Sequence, residues 1–275
     1  MPHAGDFLPN HALITAPGAT PDRWLMMLHG VFGSGDNFRL FARKLCERRP
    51  GWGVCLVDLR GHGRSQGAPP PHTLDAAADD LLRLEGHLGL RLTAVAGHSF
   101  GGKVALTMLL RRSSRLEQAF VLDSPPGPRG GAADARQVLA MLRSVPQPLE
   151  SRQQFVDIVQ RAGHPAAVAE WLAMNVRRAD DGFRLRLELD TIESLLDDYF
   201  ARDLWRVIEG GVGAETFDVI VGGRSDVVGP ADRERFAAAG PRVRLHVLPD
   251  AGHWVHVDDP DGVMAVLIQA LGADS

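Results

Sequence analysis

Residues 92–102 read Leu92-Thr93-Ala94-Val95-Ala96-Gly97-His98-Ser99-Phe100-Gly101-Gly102. Leu92 to Ala96 is a short apolar run of the kind that forms a strand buried on both faces. Phe100 to Arg112 carries a helical pattern. The junction between them is G-x-S-x-G, which in this context marks a sharp strand-to-helix turn. Small residues on either side of Ser99 let the backbone fold tightly. The serine hydroxyl is then exposed at the strand end, beside the free N–H groups of a helix N-terminus. A serine attacks at neutral pH only if a base takes its proton, so a base and an acid are sought elsewhere in the chain.

The same alternation extends outward. Apolar runs at Trp24 to Leu28, Gly53 to Val57 and Ala119 to Leu122 end at His29-Gly30, Asp58 and Asp123. Helical patterns at Asn37 to Glu47 and Leu74 to Leu88 lie between them. Strand and helix in alternation predict right-handed βαβ units around a mostly parallel sheet flanked by helices. The pattern breaks at Pro125-Pro126-Gly127-Pro128-Arg129-Gly130-Gly131, a linker composition. From about Ala133 to Glu209 helices dominate, one of them running from Pro165 through Trp171 to Val176. Phe183, Leu185, Leu187 and Leu189 alternate with polar residues as in a short extended piece. After Gly210-Gly211-Val212-Gly213 the alternation resumes, with strands at Thr216 to Val221 and Val243 to Leu248 and helices at Pro230 to Ala239 and Pro260 to Leu271. This predicts an α/β core in two parts, 1–126 and 211–275, interrupted by a helical cap insertion at 127–210.

In open α/β sheets ligands bind beyond the carboxyl ends of the strands, and the chemically capable residues collect there. His253, in Gly252-His253-Trp254, follows the last strand and is the candidate base. Its neighbour His256 is a conceivable second metal ligand, but no third ligand stands at a suitable spacing, so no metal is expected. Two carboxylates compete for the acid. Asp226 follows the late strand in Gly222-Gly223-Arg224-Ser225-Asp226, and Asp123 ends an earlier one. Both satisfy the order serine, acid, histidine. Asp226 is the favoured reading, because Gly222 and Gly223 permit a sharp turn toward the histidine loop; Asp123 is the alternative. Lys103, in the first turn of the helix after Ser99, opposes the helix dipole and is expected to have a carboxylate partner.

The chain resembles the α/β-hydrolase family, and within it the small bacterial esterases of the YbfF-like group and their eukaryotic relatives. Four segments carry the resemblance: Leu28 to Asn37 (LHGVFGSGDN), Asp58 to Ser65 (DLRGHGRS), Gly97 to Lys103 (GHSFGGK) and Ala251 to His256 (AGHWVH). It implies the α/β-hydrolase fold with a cap and a catalytic triad of Ser99, Asp226 and His253. It further implies an oxyanion hole made by the N–H groups of Val31 and Phe100, with Phe32 replacing Val31 if the turn shifts by one residue. It makes Asp58 to Ser65 a structural turn. Some relatives take the acid from the earlier strand, which keeps Asp123 open.

Composition narrows the remaining classes. The chain has 275 residues, 45% of them hydrophobic and 23% charged, enough for a large core. A net charge of -4 gives no reason to expect nucleic acid. Cys46 and Cys55 are too few for a disulfide framework. The first ten residues lack a basic and apolar leader, and no apolar run approaches the ~20 residues needed to span a membrane, so a cytoplasmic protein is expected. Arginines in the cap segment (Arg136, Arg143, Arg152, Arg161, Arg177, Arg178, Arg184, Arg186) are outnumbered by acidic residues there and read mostly as a solvated helix face. Trp171, Phe155, Leu195, Leu196 and Tyr199 read as cap core. The expected activity is a cofactor-free serine hydrolase acting on small-molecule esters or thioesters through an acyl-enzyme on Ser99. C–C hydrolysis, lyase or perhydrolase chemistry on the same triad, or ligand binding without catalysis, are the alternatives.

Overall fold

The computed structural model describes residues 7–129 and 133–272. Residues 1–6 and the Gly130-Gly131 end of the linker lie outside them. The chain begins with strands β1 (His11–Ile14) and β2 (Arg23–Leu28), followed by a 3-10 turn at Gly35–Phe38. Then come α1 (Arg39–Arg48), β3 (Trp52–Val57), α2 (Leu74–Leu88), β4 (Leu92–His98), α3 (Phe100–Arg111) and β5 (Leu116–Leu122). Between β5 and the next sheet strand lie α4 (Ala133–Ser144), α5 (Arg152–Arg161), α6 (Ala166–Ala173), β6 (Val176–Ala179), β7 (Gly182–Leu185), α7 (Leu189–Ala201) and α8 (Trp205–Glu209). The chain closes with β8 (Ala214–Gly222), α9 (Pro230–Ala238), β9 (Val243–Leu248), α10 (Val255–Asp258) and α11 (Pro260–Leu271).

Seven strands form one sheet in the order β1-β3-β2-β4-β5-β8-β9. All neighbours are parallel except β1, which runs antiparallel to β3. The continuous apolar runs follow from cover on both faces. Along β2, Trp24, Met26 and Leu28 pack into a cluster that includes residues of α2 and α3, whereas Leu25 and Met27 pack with residues of α1 and α11. The edge strand β1 was not expected. It is four residues long, and Leu13 points outward, so it carries no clear period.

The segment between β5 and β8 adds no strand to this sheet. Its strands β6 and β7 form a separate two-stranded hairpin across Asp180-Asp181, and Phe183 of β7 also bridges to Leu149. The helix that begins after Pro165 therefore ends at Ala173, short of the expected Val176, because Val176 opens the hairpin. Leu189, expected in the extended piece, opens α7. Phe155, Leu172, Ile192 and Leu196 form a third buried cluster, and Phe32 from the loop after β2 joins it. No helix among the described residues is long and apolar enough to cross a membrane.

Candidate active site

Ser99 sits between β4 and α3 with φ 51° and ψ -115°, a region that costs a non-glycine residue about 1–3 kcal/mol. The surroundings impose it. Ser99 N donates to Leu122 O at 2.9 Å, and its carbonyl accepts from Gly102 N at 2.9 Å and from Ser124 Oγ at 2.6 Å. The flanking glycines are a packing requirement. A β-carbon on Gly97 would lie 2.2 Å from Gly101 O, and one on Gly101 would lie 2.5 Å from His29 O.

His253 Nε2 lies 3.1 Å from Ser99 Oγ, and its Nδ1 lies 2.7 Å from Asp123 Oδ2. The carboxylate can only accept, so Nδ1 carries the proton and Nε2 faces the serine as a base. The expectation that Asp226 would meet the histidine is overturned. Asp226 is exposed, and its contact is a backbone one, its carbonyl accepting from Arg129 at 3.1 Å. Two features explain the difference. Asp123 follows β5 directly with φ 44°, its N–H donating to Ile220 O at 2.7 Å, which anchors it at the end of β8. The glycines at the end of β8 do not aim Asp226; they leave room for the histidine loop to cross. A β-carbon on Gly222 would lie 2.1 Å from Gly252 O, and one on Gly223 would lie 2.4 Å from Pro249 O. The loop passes over the end of β8 and brings His253 to Asp123.

The Gly-Gly-Arg-Ser-Asp segment instead supplies donors to the acid. Ser225 Oγ donates to Asp123 Oδ2 at 2.5 Å, and Gly222 N donates to Oδ1 at 3.1 Å. Asp123 has no solvent exposure, so each of these bonds compensates a charge that would otherwise be costly to bury. His98 was a further unexpected contributor. Its ring is buried, and Nε2 donates to the backbone carbonyl of His253 at 2.8 Å, tying the histidine loop to the strand that carries Ser99. Burial, with His253 and His256 nearby, holds His98 well below the usual histidine range, so it stays neutral. His256 lies against Phe38 and His98, and burial lowers it to about 4. The described residues contain no cluster of three or more metal-ligating side chains.

The loop after β2 turns at Gly30 to Gly33, where Gly33 N donates to Gly30 O at 3.0 Å and Phe32 has φ 61°. That bond uses neither the Val31 nor the Phe32 N–H. Asn175, buried just before β6, donates through Nδ2 to Phe32 O at 2.6 Å. His29 braces the loop from behind: Nε2 accepts from Leu59 N at 2.9 Å, and Nδ1 donates to Gly30 O at 2.8 Å. Phe100 is the first residue of α3, where the backbone N–H has no intrahelical acceptor. In the Asp58 to Ser65 segment the polar atoms serve the fold. Asp58 accepts from Gly35 N, Asn10 Nδ2 and Arg64 N, and Arg60 pairs with buried Asp80 at 2.7 Å.

Lys103 departs from expectation. It is fully buried, and Nζ donates to three carbonyls rather than to a carboxylate: Gly127 at 2.7 Å, Tyr199 at 2.7 Å and Arg202 at 2.9 Å. Helix dipole and desolvation both oppose this charge, and burial lowers it to about 8. Tyr199, read from the sequence as cap core, is buried with its ring 4.5 Å from Lys103 Nζ, and its hydroxyl interacts with the Ser99 and Ser124 side chains. Burial raises it to about 12, so it is a donor at neutral pH. Nothing in local spacing marks a tyrosine 100 residues from the serine as its neighbour.

A family model described as alpha/beta hydrolase fold matches residues 23–260. The chain belongs to this family. Among α/β hydrolases, the sn-1-specific diacylglycerol lipase ABHD11 of Mus musculus is 32% identical over 249 residues, spanning 87% of this chain and 78% of its own. Esterase YbfF of Escherichia coli (strain K12) is 28% identical over 244 residues, spanning 88% of this chain and 91% of its own. A solved marine microorganism esterase superposes with a TM-score of 0.82 at 24% identity, spanning 96% of this chain and 99% of its own. The relatives of this hydrolase include esterases, lipases and carbamate hydrolases, and the resemblance to the YbfF-like group holds over most of the chain.

Proposed function

We propose that this α/β hydrolase cleaves carboxylic esters or thioesters of small acyl substrates through an acyl-enzyme on Ser99. The observation that carries this reading is the unbroken hydrogen-bond chain Ser225–Asp123–His253–Ser99. His253 Nε2 takes the hydroxyl proton as Ser99 Oγ attacks the acyl carbonyl carbon. Asp123 fixes the tautomer and stabilises the imidazolium. The negative charge on the former carbonyl oxygen is met by the N–H groups of Val31 and Phe100, each worth about 3 kcal/mol in such a site. His253 returns its proton to the leaving alcohol or thiol as the tetrahedral adduct collapses. It then takes a proton from water, whose oxygen attacks the acyl carbon, and the acid leaves as the proton goes back to Ser99.

Residues 127–210 act in this reading as a cap that selects what reaches Ser99. Their separate hairpin and their own buried cluster, joined to the core through Phe32, support that role. The esterases and lipases among the relatives support the ester class. The test is labelling by a serine-directed fluorophosphonate, together with turnover of p-nitrophenyl and coenzyme A esters of graded chain length. Labelling and turnover that both vanish in Ser99→Ala are expected. Turnover persisting above about a thousandth of the parent rate would remove Ser99 as nucleophile.

A further inference from the structure

Beside the loop after β2 lies a small open cleft of about 50 Å³ lined in part by Arg39, Arg64, Arg177 and Arg186. It lies between the core and the hairpin β6–β7. Two carboxylates share its walls. Asp58 is buried, and its oxygens are engaged by Gly35 N, Asn10 Nδ2 and Arg64 N at 2.8–2.9 Å. Asp36 is split between Arg39 at 2.6 Å and Arg177 at 3.8 Å. Four arginines and two aspartates therefore line the cleft, in a chain whose net charge is -4. Among the described residues Arg64 and Arg186 form no side-chain ion pair, whereas Arg136, Arg143, Arg152 and Arg184 in the same insertion each pair with a carboxylate. The eight arginines that the sequence reading assigned to a solvated face thus divide: four are paired outside, Arg161 and Arg178 form no side-chain ion pair among the described residues, and Arg177 and Arg186 line this cleft.

We propose that the cleft binds a phosphate monoester, with Arg64 and Arg186 as its principal contacts. A surplus of two positive charges matches the charge of about -1.5 to -2 on such a group at neutral pH. The planar guanidinium is also the side chain best suited to bidentate phosphate binding. The position is functional in character. Ser34 and Gly35 of the loop after β2 line the cleft, and so does Asn175, which holds Phe32 O. An occupant bridging Arg64 on the core to Arg186 beside the hairpin ties the cap segment to the loop that carries Val31.

The test is equilibrium binding to the full-length Ser99→Ala protein by calorimetry at constant ionic strength, so that ester turnover plays no part in the result. The probes are inorganic phosphate, glycerol 3-phosphate and adenosine 3′,5′-bisphosphate. Saturable binding is expected, weakened at least tenfold in Arg64→Ala/Arg186→Ala and unchanged in Arg152→Ala, which removes a paired exterior arginine. Equal affinity for all three probes assigns the site to the phosphate group alone; tighter binding of one ester assigns it to that phosphorylated molecule. Absence of saturable binding by all three, or equal affinity in the parent and the double variant, overturns the proposal. Melting temperatures and single variants at 64 and 186 separate lost contacts from lost fold.

Discussion

Gly222 runs beneath Gly252 so closely that a β-carbon at position 222 would lie 2.1 Å from the Gly252 carbonyl oxygen and 2.6 Å from that of Ala251. Both neighbours are backbone, so neither can rotate away. Gly222→Ala is therefore expected to push the histidine loop off the end of β8 and misplace His253 relative to Asp123 and Ser99. A displacement near 1 Å costs on the order of 10²-fold in rate. Near-UV circular dichroism and kcat/KM on a p-nitrophenyl ester should show a folded protein with that loss. Activity within threefold of the parent would mean that the loop tolerates the methyl group.

The acid assignment gives the sharpest contrast. Asp123→Asn keeps the shape but offers His253 an amide, which stabilises the wrong tautomer, and kcat is expected to fall about 10⁴-fold. Asp226→Asn alters an exposed side chain and is expected to stay within threefold. The two variants assayed side by side check this. The reverse ranking would return the acid to position 226.

Ser225 supplies one of the bonds that hold Asp123. A hydrogen bond to a buried charge is worth about 1.5–3 kcal/mol, so Ser225→Ala is expected to lower kcat by between about tenfold and a hundredfold. KM should stay nearly constant, because Ser225 acts through Asp123 and not on substrate. Ser225→Thr retains the hydroxyl and should restore part of the rate. A change confined to KM, or no rescue by threonine, would detach Ser225 from the acid.

Much of this was legible before the structure. The strand-to-helix turn at Ser99, the parallel strands and His253 at the end of the last one follow from local composition, since buried strands and helices have distinct periods. What stayed hidden depends on which segments cross. Asp123 and Asp226 both leave strand ends in suitable loops, and only the passage of residues 249–252 over Gly222 and Gly223 decides between them. The glycines were read as giving freedom to their own loop, when their function is to admit another. Asn175 and Tyr199 were invisible for a related reason: each reaches the site from the insertion, at a separation that no sequence spacing encodes. The hairpin β6–β7 was half seen, because Val176 to Ala179 reads as readily as the end of a helix.

Lys103 gives the last prediction, one of pH. In the unfolded chain a lysine titrates near 10.4, whereas burial in the fold lowers Lys103 to about 8. Between those values the folded protein has released a proton that the unfolded chain still binds, so the contribution of this group to stability rises with pH across that window. Below about pH 8 the penalty of burying the ammonium is fully present, offset by its bonds to Gly127, Tyr199 and Arg202. Lys103→Met removes both the charge and the donors. It leaves three buried carbonyls short of a partner and should destabilise the protein by about 3 kcal/mol at pH 7. Methionine does not titrate, so the stability gap between parent and variant should widen as pH climbs from about 8 toward 10.5. Denaturant unfolding of both proteins at a series of pH values measures this gap. A gap that stays constant or narrows would show that Lys103 keeps its ordinary basicity in the fold.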